Sequence, residues 1–106
     1  IRDRLENDKE PVKEWLLSLD TSTRVKIIKR LERLYDDNYG DYKQIAPNLY
    51  ELRFFFGKGY RIYYTTQNQI IIILLYAGDK SNQQKDIKIA KSYLQNIKEH
   101  NNDRIK

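Results

Sequence analysis

The chain has 106 residues, of which 40% are hydrophobic and 33% are charged. This length and composition predict a single folded domain over residues 1–106. The longest apolar run, residues 70–77, is far shorter than the roughly 20 residues that a membrane-spanning helix needs. We therefore predict no membrane segment.

Charge and cysteine content narrow the classes of function. Lys and Arg number 20 against 15 Asp and Glu, which gives a net charge of +5. This balance favours an anionic partner such as nucleic acid, although many ordinary proteins share it. The absence of cysteine excludes disulfides, thiolate catalysis and cysteine-based metal sites. With no secretion signal pattern at the start, the expected location is the cytoplasm.

Apolar residues at helical spacing predict two helices in the first part of the chain. The first covers residues 11–19, where Pro11 suits the first helical position because its missing N–H costs no hydrogen bond there. Residues 20–22 form a break and a cap for the second helix. That helix ends at residues 36–41. The two apolar stripes predict a helical hairpin; they are Val12, Trp15, Leu16, Leu19 and Val25, Ile28, Leu31, Leu34, Tyr35.

The pattern then changes to extended structure. After a loop over 42–48, two aromatic and β-branched strands are predicted at 49–56 and 60–66. A third strand at 70–77 is apolar throughout, as is typical of a central strand covered on both faces. A last helix follows, capped by Ser81 or Asn82. With a possible short first strand before the helices, this order predicts an α+β fold.

The hairpin between the two aromatic strands predicts a candidate site. If residues 57–59 form a three-residue turn, Arg53 lies beside Tyr63, and Phe55 lies beside Arg61. Because side chains alternate across a strand, these four residues share one face. The helical hairpin is expected to cover the other face, which leaves this one open.

Two lysines are expected near the same surface: Lys58 at the hairpin tip and Lys80 after the neighbouring strand. Guanidinium groups bind phosphate bidentately, and a tyrosine ring can stack on an unpaired base. Crowded cations favour a neutral lysine, which could act as a base. RNA carries its own 2′-hydroxyl nucleophile, so cleavage needs only proton transfer and charge stabilisation.

The same residues have an ordinary structural interpretation. Arg, Lys and Tyr on a strand pair commonly serve solubility and cross-strand packing, and Arg53 could simply pair with Glu51 or Asp79. The single histidine, His100, lies in a polar tail. No HExxH, Walker or GxGxxG motif is present, and we predict neither a metal nor a cofactor.

Several ordered segments resemble the phage-derived branch of the RelE/HigB toxins, also known as addiction-module killer proteins. The resemblance covers nearly the whole chain and implies a RelE/ParE-like fold, with a helical hairpin packed on a small antiparallel sheet and a C-terminal helix. The matching segments are EPVKEWLLSLD at 10–20, RLERL at 30–34, NYGDYK at 38–43, ELR at 51–53, GKGYRIYY at 57–64 and AGDKSNQQKDIKIAK at 77–91.

The resemblance implies a ribosome-dependent mRNA endonuclease that is neutralised by a cognate antitoxin, often of helix-turn-helix type. Arg61 matches the basic strand residue of relatives, Lys80 matches the basic residue after the last strand, and Arg53 belongs to the ELR segment. The chain departs from RelE in having Glu51 where RelE has lysines. RelE also has a tyrosine in the region where this chain has residues 83–86, none of which is a tyrosine. The histidines of some HigB proteins are absent as well.

We therefore hypothesise metal-free cleavage of ribosome-bound mRNA by 2′-hydroxyl attack. One alternative is a ParE-like toxin that poisons DNA gyrase by protein contact. Another is an inactive module that binds an antitoxin on the same fold. The predicted catalytic residues are Arg61, Arg53, Lys58, Lys80 and Tyr63, and those predicted to bind RNA are Phe55, Ser81 and Lys85.

Overall fold

The computed structural model describes the backbone of residues 2–3, 10–36, 40–68 and 71–105, and the side chains of 10–34, 36, 40–68 and 71–98. The predicted role of His100 as a surface residue therefore lies outside the described side chains.

The elements in chain order are β1 (Arg2–Asp3), α1 (Pro11–Ser18), α2 (Thr21–Tyr35), β2 (Tyr42–Ala46), β3 (Leu49–Arg53), β4 (Tyr60–Gln67), β5 (Ile71–Asp79), a short 3₁₀ turn (Lys80–Asn82) and α3 (Gln83–Ile105).

Five strands in the described part of the chain form one sheet in the order β1-β5-β4-β3-β2. The short β1 pairs in parallel with β5, and the other pairs are antiparallel. The predicted α+β fold, with a helical hairpin, a mostly antiparallel sheet and a C-terminal helix, is confirmed. None of the described helices is long and apolar enough to cross a membrane.

The helical hairpin packs on one face of the sheet, as predicted. Asp20 caps α2, because its carboxylate accepts hydrogen bonds from the Thr23 backbone N–H (3.1 Å) and hydroxyl (2.6 Å). The hairpin and the sheet share a buried apolar cluster that includes Val12, Ile27, Leu31, Leu34, Leu52, Phe54, Ile62 and Tyr64.

The opposite face of the sheet is covered as well, which corrects the expectation of an open surface. Ala90 and Leu94 of α3 pack there with Tyr63, Leu75 and Leu49 in a second buried cluster. The physical reason is that α3 has its own apolar stripe, which must be buried against some surface. Of the two sheet faces, only this one is left by the helical hairpin.

The register of the β3–β4 hairpin differs by two residues from the predicted one. Arg53 pairs with Arg61 rather than Tyr63, and the Phe54 N–H donates to the Tyr60 carbonyl (3.0 Å). Two left-handed glycines widen the turn, with φ of 58° at Gly57 and 71° at Gly59. A shift of two keeps each side chain on its predicted face, but Phe55 falls in the turn instead of the strand.

The predicted loop at 42–48 contains a strand that sequence patterning missed. β2 pairs with β3, with Tyr42 opposite Leu52 and Gln44 opposite Tyr50. Its first residues are exposed, so no apolar alternation indicates a strand. The signal in the sequence was the pair Pro47 and Asn48, since both residue types are common in turns. In the structure Asn48 adopts a left-handed φ of 61° there.

Candidate functional site

The hairpin tip and the end of β5 are held together, so Lys58 and Lys80 are neighbours as predicted. The Lys80 N–H donates to the Lys58 carbonyl (3.4 Å), and a Cβ at Gly59 would lie 3.3 Å from the Lys80 Cβ. Both lysine side chains are exposed. The two cations therefore stand on one solvent-facing edge where an anion can reach them.

The 3₁₀ turn after this edge is capped by Asp79, and the predicted helix cap, Ser81 or Asn82, lies within this turn. The Asp79 carboxylate accepts from the Ser81 backbone N–H (2.9 Å) and from the Ser81 hydroxyl. These hydrogen bonds are the main cause that lowers the pKa of Asp79, and the charge of Lys58 adds to it. Ser81 is exposed beside Lys80, and α3 begins only at Gln83.

Half-buried Arg53 and exposed Phe55 form a cation–aromatic pair at the base of the hairpin. The Arg53 guanidinium lies 5.8 Å from the centre of the Phe55 ring, which is 74% exposed. Arg53 Nη2 also contacts Asp41 Oδ1 (3.2 Å), so its partner is neither Glu51 nor Asp79. Arg30 fixes this corner, because its guanidinium donates to the carbonyls of Arg53 (3.2 Å) and Asp41 (3.0 Å).

Arg61 is buried, contrary to its predicted place on an open surface. Its Nη1 contacts Glu51 Oε1 at 3.2 Å, and the two residues are only 8% and 1% exposed. Glu51 Oε2 accepts a second hydrogen bond from Gln83 Nε2 (2.8 Å) in the first turn of α3. The residue that departs from RelE, Glu51, is therefore the ion-pair partner of Arg61, and α3 covers the pair.

Tyr63 is fully buried beneath α3, so its ring is not available to stack on a base in this conformation. Burial raises its pKa, and the charges of Glu51 and Asp86 raise it further. Tyr63 thus stays protonated near neutral pH and cannot serve as a base there.

Comparison with known proteins places the chain in a family. The family model described as "Phage derived protein Gp49-like" matches residues 14–100. The chain belongs to the Gp49-like family. This is a family of addiction-module killer, toxin-like proteins.

The Gp49-like chain also has a relative among curated proteins. An uncharacterized protein of Haemophilus influenzae is 44% identical over 84 residues, which cover 78% of this chain and 85% of the relative. No solved structure matches the chain significantly. All eight predicted site residues of this Gp49-like chain lie inside the matched region 14–100.

The structure of the Gp49-like chain divides the predicted site residues into two groups. One group is accessible at the hairpin tip and the start of α3, and the other lies beneath α3. The roles of all eight remain predictions. The accessible residues are Lys58, Lys80, Ser81, Lys85, Phe55 and Arg53, and the covered ones are Arg61 and Tyr63.

Sequence patterning missed a buried acid in this Gp49-like chain, Asp86. Its carboxylate packs directly against Gly78, where a Cβ would overlap Oδ2. Oδ2 has no hydrogen-bond partner among the described residues, and the side chain is buried. Burial and, next, the charge of Asp79 raise the pKa of Asp86. The available signal was a glycine at the end of a strand, which often marks a close approach.

We expect Asp86 to make the protein less stable as pH rises from its ordinary pKa of 3.8. A raised pKa in the folded state contributes stability that is present below 3.8 and lost as pH rises through the folded value. The Asp86→Asn variant has no ionisable group at this position. Its free energy of unfolding, relative to that of the parent, should therefore increase as the pH rises from acid to neutral. Urea unfolding at several pH values measures this.

The matched control for this prediction is Asp20→Asn, which should give the opposite trend. The pKa of Asp20 is lowered by its hydrogen bonds from Thr23, which contributes stability above 3.8 that is lost on acidification. A pH-independent difference between Asp86→Asn and the parent would contradict the burial of an ionisable carboxylate at this position.

Proposed function

We propose that this Gp49-like protein is the toxin of a toxin–antitoxin pair and cuts mRNA on the ribosome by 2′-hydroxyl attack. The observation that carries the proposal is the accessible cationic edge, where Lys58 and Lys80 are joined through their backbones. Membership of a toxin-like family supports it. A cognate antitoxin, of helix-turn-helix type, neutralises the toxin, and both act in the cytoplasm without a cofactor.

The cationic edge supplies charge stabilisation and proton transfer. An RNA phosphate that binds between Lys58 and Lys80 has its developing negative charge stabilised by these two side chains. One lysine accepts the proton of the attacking 2′-hydroxyl, and the other donates a proton to the leaving 5′-oxygen. Ser81 and Lys85 are exposed next to this edge and extend the contact along the RNA backbone.

The exposed ring of Phe55 provides a platform for an unpaired base. Stacking on an aromatic ring is tolerant of base identity, and a neighbouring guanidinium strengthens it. Arg53 lies over that ring and keeps about a third of its side chain exposed. The pair thus holds the nucleotide next to the one that is cut.

Arg61 becomes a phosphate clamp only when it exchanges partners. In the described conformation its Nη1 is bonded to Glu51, and Gln83 of α3 closes over that carboxylate. Phosphate presents the same paired oxygens to a guanidinium as a carboxylate does. Movement of the first turn of α3 lets an RNA phosphate replace Glu51, and Tyr63 becomes accessible beside it as a hydrogen-bond donor.

The chemical nature of the product ends tests this mechanism. Purified protein acting on ribosomes that carry mRNA should produce a 5′-hydroxyl and a 2′,3′-cyclic phosphate. The new 5′ ends should then accept labelled phosphate from polynucleotide kinase without prior dephosphorylation. Ends that accept label only after phosphatase treatment carry a 5′-phosphate, and they would contradict attack by the 2′-hydroxyl.

A further inference from the structure

α3 carries a second cationic surface, separate from the hairpin tip. Positions 84, 88, 91, 95 and 98 recur at alternating spacings of four and three and therefore lie along one side of the helix. All five are exposed, and three of them are Lys88, Lys91 and Lys98. At 1.5 Å per residue, this α3 lysine stripe extends over about 15 Å.

Among the side chains that the structure describes, no acidic group pairs with the lysines of the stripe. Within residues 83–98 the only acidic residue is Asp86, and it is buried under the helix. The other exposed residues of this part of α3 are cationic or neutral: Lys85, Ser92 and Asn96. Over residues 83–98 this face therefore presents positive charge with no exposed acidic residue beside it.

The composition of this face favours a phosphate backbone over a protein partner. Protein interfaces rely on aromatic and apolar anchors and are depleted in lysine. No large exposed apolar residue of the described chain lies on α3; all are elsewhere, namely Leu17, Val25, Ile28, Tyr42 and Phe55. Lysines among neutral polar side chains are suited to phosphate contacts that do not depend on base sequence.

We propose that the α3 lysine stripe binds the sugar–phosphate backbone of folded, double-stranded RNA. This deepens the proposed function and rests on it: the stripe would hold the toxin on the structured RNA of the ribosome, while the hairpin tip contacts the single-stranded message. The two surfaces have different ligands. The tip combines cations with an exposed aromatic ring, whereas the stripe has cations alone and so makes no use of unstacked bases.

The test compares two variants that each lose three positive charges. The stripe variant is Lys88→Gln, Lys91→Gln and Lys98→Gln. The control is Lys29→Gln, Arg33→Gln and Lys43→Gln on α2 and β2. All six side chains are exposed, so both variants should unfold in urea at the same concentration as the parent. The probe is a short labelled RNA duplex, with binding followed by fluorescence anisotropy over a range of salt concentrations.

We expect the stripe variant to bind the duplex at least about tenfold more weakly. Its plot of log affinity against log salt should lose about 2–3 units of slope, since each phosphate contact contributes about 0.9. The control should keep the parent slope within about one unit. A third variant with arginine at the three stripe positions should retain binding.

Three results would overturn the proposal. Equal weakening in stripe variant and control means that binding follows net charge, and unchanged binding in the stripe variant means that the stripe does not contact RNA. Competition by polyglutamate as effective as that by RNA of equal charge indicates an acidic protein partner instead. Because the duplex is not a substrate for cleavage, these results are independent of whether the protein cuts mRNA.

Discussion

Arg61→Ala is expected to lower the free energy of unfolding by about 3–5 kcal/mol, because it leaves a buried carboxylate without its cation. Glu51 is 1% exposed, and of its two bonds only that from Gln83 would remain. Urea unfolding followed by the fluorescence of Trp15 measures the change. Loss of toxicity in this variant would therefore reflect the loss of folded protein as much as the loss of a phosphate contact.

A paired replacement separates these two effects. Arg61→Met combined with Glu51→Leu removes both charges and keeps apolar volume under α3, which is commonly neutral for stability. We expect this double variant to recover most of the lost stability and still to be deficient in mRNA cleavage. If Arg61→Ala proves as stable as the parent, the Arg61–Glu51 pair is not buried in solution. If the double variant cleaves normally, Arg61 has no role in the reaction.

Replacing Lys58 and Lys80 together with glutamine is expected to slow mRNA cleavage by at least about 10²-fold. Loss of a proton-transfer group or of a group that stabilises developing charge typically costs 10²–10³ or more. Both side chains are exposed, so the free energy of unfolding should change by less than about 0.5 kcal/mol. The measurement is single-turnover cleavage on ribosomes with the toxin in excess.

The matched control for the lysine pair is Lys29→Gln with Lys43→Gln, which removes the same charge from α2 and β2. It should cleave at the parent rate. Normal cleavage by the Lys58 and Lys80 variant would remove the observation on which the proposed function depends.

The local parts of the fold were predictable because they rest on short-range chemistry. Pro11 and the Asp20 cap define where the first two helices begin. The apolar run that contains Leu74 and Leu75 indicates a strand covered on both faces, and these two residues pack in the two different clusters. The exposed edge strand β2 was not predictable from apolar alternation, because it has none. The register of the β3–β4 hairpin depends on the left-handed Gly57 and Gly59, whose conformation the sequence permits but does not require.

The candidate site was only half predictable for a related reason. Strand alternation correctly grouped Arg53, Arg61 and Tyr63 on one face, since alternation survives a two-residue change of register. Which part of that face stays accessible depends on where α3 packs, and this is a long-range contact. Glu51 stood out in the sequence only as a departure from RelE; its role as the buried partner of Arg61 emerges once β3, β4 and α3 are assembled.

Mapping of mRNA ends in cells tests the central claim most directly. After brief induction of the protein, primer extension on several translated mRNAs should reveal new discrete 5′ ends inside the coding regions. Cells that express the Lys58→Gln, Lys80→Gln variant should lack these ends, and plasmid supercoiling should be unchanged in both. Intact mRNA together with relaxed plasmid DNA would contradict the account and indicate a gyrase poison on the same fold.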